Sequence, residues 1–148
     1  MVIAFMVVDE DVIEREIIGD LLRRAMPGAQ ILEAHGADEA LGTIEDRRLV
    51  PSLIFTDMTM SGGGGLELLA GLRRFRWLER TPVAVVTYRA SDREVLNAFR
   101  LGACAVLTKP TRLYDVRAVV REFAQPAKLM SVGRVQTEQE FERQRSAA

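Results

Sequence analysis

Apolar runs and helical periodicities alternate along this chain at regular intervals. Ile3 to Val8 is an unbroken apolar stretch that ends on three acids, Asp9, Glu10 and Asp11, the pattern of a strand buried on both faces. From Asp11 the apolar positions fall four apart (Ile13, Ile17 and Leu21; Ile18 and Leu22), which predicts a helix capped by Asp11 and stopped by Pro27-Gly28. A short strand is expected over Gln30–Ala34 and a helix over Asp38–Arg47. Pro51 introduces a third strand, Leu53–Thr56, which runs into Asp57. Ser61 and four consecutive glycines, Gly62 to Gly65, make a loop before a third helix, Leu66–Arg76. Pro82 opens a fourth strand, Val83–Val86, ending at Thr87, and Ser91-Asp92-Arg93-Glu94 has the spacing of a capping box for a helix that runs to Gly102. A fifth strand, Ala105–Leu107, leads to Lys109-Pro110 and a fifth helix that reaches about Phe123.

Five β–α units in series imply a parallel sheet covered by helices on both faces. Right-handed crossovers leave an open, doubly wound α/β sheet as the architecture, since an eight-unit barrel needs about 250 residues. After Pro126 the character changes: residues 127–148 are richer in Gln, Glu and Arg, with scattered apolar positions at Leu129, Val132, Val135 and Phe141. That segment is either a helical extension used in self-association or a frayed tail, and no output domain fits there.

Composition narrows the function classes. The 148 residues are one domain's worth, with 48% hydrophobic and 28% charged side chains, as in globular proteins. A formal charge of −1, from 20 basic and 21 acidic residues, argues against a dedicated nucleic-acid binder, despite the arginines around Trp77. The one cysteine, Cys104, fits a reducing compartment and reads as a small core hydrophobe. The longest apolar run is far short of the roughly 20 residues that span a bilayer and lacks a basic leader, so a cytoplasmic location is expected and no membrane partner. Lysine is rare: two of the 20 basic residues, Lys109 and Lys128, are lysines and the rest arginines, which singles out Lys109 as a compact point charge.

In an open α/β sheet ligands bind at the carboxyl ends of the strands. Those ends deliver Asp9, Glu10 and Asp11 from the first strand, Asp57 from the third, Thr87 from the fourth, and Thr108 and Lys109 from the fifth. Crowded carboxylates repel unless a cation neutralises them, and oxygen ligands beside phosphate chemistry suit Mg²⁺. Acids, a hydroxyl and a lysine together form a site for phosphoryl transfer to a carboxylate. Asp11 reads as a helix cap. His35, with no partner histidine or cysteine pair, reads as neither metal ligand nor phosphohistidine, and the four glycines lack the Lys-Ser/Thr of a nucleotide loop.

Over residues 3 to 123 the sequence resembles the receiver domain of two-component response regulators. The resemblance is carried by Val8-Asp9-Glu10 with Arg15, by Ala34-His35-Gly36-Ala37-Asp38-Glu39-Ala40-Leu41, by Pro51 through Asp57, by Gly65-Leu66-Glu67-Leu68-Leu69, by Val85-Val86-Thr87, and by Gly102-Ala103 through Thr108-Lys109-Pro110. It implies a flavodoxin-like (β/α)5 fold with strand order 2-1-3-4-5, a receiver domain over 1–125 and an extension over 126–148. It also implies a signalling domain rather than an enzyme, catalysing only its own phosphorylation and dephosphorylation. Asp57 would be the phosphoacceptor and Mg²⁺ the cofactor, held by Asp9, Glu10, Asp57 and the carbonyl of Thr59. Thr87 and Lys109 would bind phosphoryl oxygens. The implied phosphodonor is a histidine kinase or histidine phosphotransfer protein, with partner binding or homodimerisation through helix 4, strand 5 and helix 5, or through the extension, as the output. The region of strands four and five is similar to stand-alone regulators partnered with phytochrome-type kinases.

Some positions depart from the family pattern. Glu10 stands where Asp is usual, Ser61 where Pro is usual, and Gly64 where a polar residue is common, so a looser loop is expected. Tyr88 follows Thr87 where Ala is commonest, so that a large ring is expected to gate Asp57 and to take over part of the switch. Val106 occupies the position of the usual switch aromatic. Two other readings are weighed: a phosphorylation-independent pseudo-receiver, and a haloacid-dehalogenase-like phosphatase with Asp9 of Asp9-Glu10-Asp11-Val12 as nucleophile.

Overall fold

The structure is a computed structural model that describes residues 3–124 and 138–147. Five parallel strands form one sheet in the order β2-β1-β3-β4-β5: β1 Ala4–Val8, β2 Gln30–Ala34, β3 Leu53–Asp57, β4 Val83–Thr87 and β5 Ala105–Thr108. The chain is thus the flavodoxin-like, doubly wound α/β fold expected from the resemblance. Register brings the functional ends level: Val8 pairs with Thr56, Asp57 with Val86, and Thr87 with Thr108.

Alternate strand positions point to opposite faces, and both faces are apolar. Met6, Val8, Ile54, Val85 and Val106 face one core, under α2 Ala37–Arg47, α3 Gly65–Leu72 and α4 Asp92–Arg100. Phe5, Val7, Leu53, Phe55, Val86 and Leu107 face the other, under α1 Val12–Ala25 and α5 Leu113–Val119. Cys104 packs against this second core, and burial pushes its thiol up to about 12. The caps lie where the sequence puts them. Asp11 accepts from the amides of Ile13 at 2.8 Å and Glu14 at 3.4 Å, and Ser91 and Glu94 close a reciprocal capping box.

Two helix ends differ from expectation. α3 stops at Leu72, and Arg76–Leu78 form a separate 3₁₀ turn. The amides of Arg74 and Phe75 turn back to Gly71 and Leu72, Phe75 packs on Trp77 at 4.9 Å, and the Trp77 indole N–H donates to the Leu49 carbonyl at 3.2 Å. The apolar periodicity continues past Leu72 because these rings pack, partly buried, against the core and Leu78 is buried, not because the backbone remains α-helical. Beyond α5, Val120–Ala124 form a π turn.

Of the apolar positions in the extension, Leu129, Val132 and Val135 lie outside the described residues. Phe141 lies on α6, Glu138–Ser146, and is buried, its ring 6.0 Å from Phe99 of α4. Among the described residues no helix is long and apolar enough to cross a membrane.

Candidate functional site

A cleft of about 360 Å³ opens at the carboxyl ends of β1, β3, β4 and β5. Asp9, Glu10, Asp57, Thr59, Thr87, Tyr88 and Lys109 all line it, joined by Asp11, Glu14 and Arg89. Val106 is elsewhere: its side chain is buried in the core beneath α4, in the same cluster as Phe99.

Lys109 is the centre of the polar network. Its ammonium donates to Asp9 Oδ2 at 3.0 Å, lies 3.3 Å from Asp57 Oδ1 and 4.0 Å from Glu14 Oε2, and its side chain is 3% exposed. Burial pulls its pKa down, but the hydrogen bond to Asp9 and the charges of Asp57, Asp9 and Glu14 together outweigh that, leaving it above the ordinary lysine value. Asp9 is 1% exposed and fully engaged: Oδ1 accepts from the Asp11 amide at 2.9 Å, and its backbone carbonyl accepts from the Arg15 guanidinium at 2.7 Å. Asp57 is 14% exposed; burial raises its carboxyl pKa and the Asp9 charge adds to this, while Lys109 opposes both. Asp57 is therefore held ionised less readily than an ordinary aspartate, and it opens on the cleft. Asp9 has both carboxylate oxygens bonded, Oδ1 to the Asp11 amide and Oδ2 to Lys109.

The remaining residues form the rim. The Thr87 hydroxyl donates to the Arg89 carbonyl at 3.1 Å, and the Tyr88 hydroxyl donates to Glu14 Oε1 at 2.6 Å. The Glu10 carboxylate turns away to the loop after β3, where both the amide of Ser61, at 3.1 Å, and the Ser61 hydroxyl donate to Oε2. Those bonds hold its pKa below the usual carboxylate value, the hydroxyl contributing most.

The loop uses its glycines in two ways. Gly62 and Gly63 take positive φ, of 73° and 121°, whereas the next two glycines lie close to neighbouring backbone. A Cβ on Gly64 would lie 2.4 Å from the Met58 carbonyl oxygen, and one on Gly65 would lie 2.5 Å from that of Asp57. Glycine at 64 and 65 lets α3 begin directly against the backbone that carries Asp57.

An oxygen-only set of Asp9, Asp57, Glu10 and Thr59 fits a hard divalent cation by chemistry. With Glu10 on Ser61, however, no three acids or histidines among the described residues converge on one metal-sized point. One carboxylate oxygen of Glu10, Oε2, is thus taken up by Ser61.

A family model described as the response regulator receiver domain matches residues 5–121, and the chain belongs to that family. Receiver domains are signalling domains of two-component systems, which in general take phosphoryl groups from histidine kinases and bind Mg²⁺. Among curated proteins the chain is 32% identical to the positive alginate biosynthesis regulatory protein of Pseudomonas aeruginosa over 124 residues, covering 82% of this chain and 47% of that protein. It is 30% identical to the sensory transduction protein LytT of Bacillus subtilis over 105 residues, covering 71% of this chain and 41% of that protein. The chain thus spans less than half the length of either relative. A crystal structure of a two-component response regulator of the LuxR family from Aurantimonas sp. SI85-9A1 superposes with a TM-score of 0.77 at 26% identity, covering 99% of both chains.

Glu14 was missing from the residues singled out by sequence. The available signal was its place in the first turn of α1, five residues after Asp9, where a side chain can return to the strand ends. Ser61 stood out as a departure from the pattern, but not as the partner of Glu10.

Proposed function

We propose that this receiver accepts a phosphoryl group on Asp57 from a phosphohistidine of a histidine kinase or phosphotransfer protein. The observation that carries the reading is Asp57 itself: a half-buried acid with a raised pKa, 3.3 Å from a buried lysine and opening on the cleft. The Asp57 oxygen attacks phosphorus; an O–P bond forms as the donor's N–P bond breaks, and the electron pair stays on the imidazole. Lys109, already beside Asp57, pairs with a phosphoryl oxygen. Thr87 exchanges the Arg89 carbonyl for another, which loosens the segment that leads into α4. Asp9, Glu10, Asp57 and Thr59 are the residues that would hold Mg²⁺, which when bound supplies positive charge against the phosphoryl oxygens.

Val12, Ile13 and Ile17 expose apolar surface on α1, the helix that carries Glu14 to the cleft, and this supports a protein donor over a small molecule. The receiver unit is residues 1–125, and 126–148 extend it. The output is a shift of the α4–β5–α5 face towards a partner or a second copy, without an aromatic at 106.

Intact mass after incubation with Mg²⁺ and a small acyl phosphate tests the assignment, wild type beside Asp57→Ala. Gain of one phosphoryl group in the wild type alone is expected. No gain, with no Mg²⁺ binding, would make this a pseudo-receiver. A label that survives Asp57→Ala and is lost in Asp9→Ala would support the phosphatase reading.

A further inference from the structure

Tyr88 is the first residue after β4, and its side chain is among the most exposed large ones, at 65%. An exposed tyrosine at a loop start normally samples several rotamers. Here two contacts restrain it. The hydroxyl donates to Glu14, which lies on α1 and 74 positions away in the chain, at 2.6 Å. The ring face receives the Lys109 ammonium at 5.1 Å from its centroid, and Lys109 in turn lies 4.0 Å from Glu14. The ring therefore reaches from the β4 end of the cleft to its α1 end, tethered by the backbone at one side and by Glu14 at the other, with Asp57 among the residues lining the same cleft.

We propose that Tyr88 and Glu14 form a latch across the mouth of the cleft that limits how fast phosphodonors and water reach Asp57. The proposal rests on Asp57 being the phosphoacceptor. A charge-assisted hydrogen bond holds the ring more firmly than ring bulk alone, yet at this exposure it opens readily. The latch thus acts as a rate control and not as a plug. Because a small acyl phosphate and a hydrolytic water both have to pass it, the latch slows charging by small donors and lengthens the life of the phosphoryl group together. A protein donor docking on the exposed apolar face of α1 touches the helix that carries Glu14, and so can release the ring where a small donor cannot.

The test is a double-mutant cycle on the rates of Asp57 phosphorylation by a small acyl phosphate and of the later hydrolysis, followed by intact mass. Tyr88→Phe keeps the ring and removes the donor; Glu14→Ala removes the acceptor. Each is expected to speed both steps roughly 3- to 10-fold, and the double variant to be no faster than the faster single, because one bond is lost in all three. Tyr88→Ala, which removes the ring as well, should be faster still. If Tyr88→Phe matches the wild type while Tyr88→Ala is faster, the ring is a plain steric cover and the latch is wrong. If the two single effects multiply in the double variant, the residues act independently and the latch is again wrong. Absence of phosphoryl gain in the wild type and in Tyr88→Ala alike would overturn the Asp57 assignment, and the latch with it.

Discussion

Glu10 and Ser61, two departures from the usual receiver pattern, are bonded to each other. One carboxylate oxygen of Glu10 accepts from both the amide and the hydroxyl of Ser61, joining the loop after β1 to the loop after β3. Each departure alone looks like a loss: a methylene too many at 10, a missing proline ring at 61. Together they compensate, since the longer acid reaches a loop that has an N–H and a hydroxyl to offer, neither of which proline has. The bond has a consequence for cation binding. Ser61→Ala removes the hydroxyl while leaving the amide, so Glu10 detaches at lower cost, and Mg²⁺ affinity should rise roughly 3- to 10-fold by calorimetry. Equal affinities would mean that Glu10 stays on Ser61 when the cation binds.

Lys109 compensates Asp9 as well as facing Asp57. Removing one partner of a buried pair leaves the other charge stranded, a loss of about 3–5 kcal/mol. Lys109→Met should show a loss of that order in urea unfolding, and Asp9→Asn in the same chain should recover part of it. Lys109→Arg should not restore full stability, because a planar fork replaces a point charge in a site where the side chain is 3% exposed.

The fold was legible because each strand is a short apolar run and each helix has a cap or a stop; Asp11, Ser91 and Glu94 act as their spacing suggests. The positions of Asp9, Asp57, Thr87 and Lys109 followed from strand ends, which parallel register brings level. What could not be read were contacts between side chains far apart in sequence. Nothing local to Tyr88 points to Glu14, or to Glu10 from Ser61. The end of α3 was missed for a related reason: Phe75 and Trp77 keep an apolar periodicity while the backbone changes to a 3₁₀ turn.

The glycines separate into two kinds with opposite predicted outcomes. At Gly65 an added methyl meets the Asp57 carbonyl oxygen at 2.5 Å and the Met58 Cα at 3.2 Å, both backbone atoms. Gly65→Ala should cost about 1–3 kcal/mol and disturb Asp57 phosphorylation. Gly42, inside α2, has open space around the corresponding position. Gly42→Ala should therefore stabilise the protein by about 0.5–1 kcal/mol through helix propensity, with phosphorylation unchanged.

The capping box of α4 gives a pH signature. The Ser91 amide donates to the Glu94 carboxylate at 2.8 Å, the Ser91 hydroxyl oxygen accepts from the Glu94 amide at 3.2 Å, and hydrogen bonding by Ser91, its amide first, places the Glu94 pKa below its ordinary 4.5. A depressed folded pKa contributes stability above the unfolded value that is lost as pH falls through the folded one. The stability difference between wild type and Glu94→Gln should therefore be full at neutral pH and shrink below pH 4.5. A difference that persists unchanged into acid would show that the charge of Glu94 plays no part in the cap.

Phe141 is the apolar anchor of α6. The nine residues of the helix are otherwise polar or charged, and a helix this short does not hold in water without a docking contact. Phe141 supplies that contact by burying itself against Phe99 of α4, on the face of the sheet opposite α5. A core Phe→Ala change costs about 3–5 kcal/mol, but here the loss is capped, because the helix can detach and leave the receiver intact. Phe141→Ala should thus expose the amides of 138–146 to fast hydrogen exchange while those of the five strands keep their protection. Phe99→Ala should do the same to α6 and also lower the stability of the receiver, since Phe99 belongs to the core beneath α4 whether or not α6 is docked. If the amides of α6 stay protected in Phe141→Ala, the helix is held by contacts other than this aromatic pair.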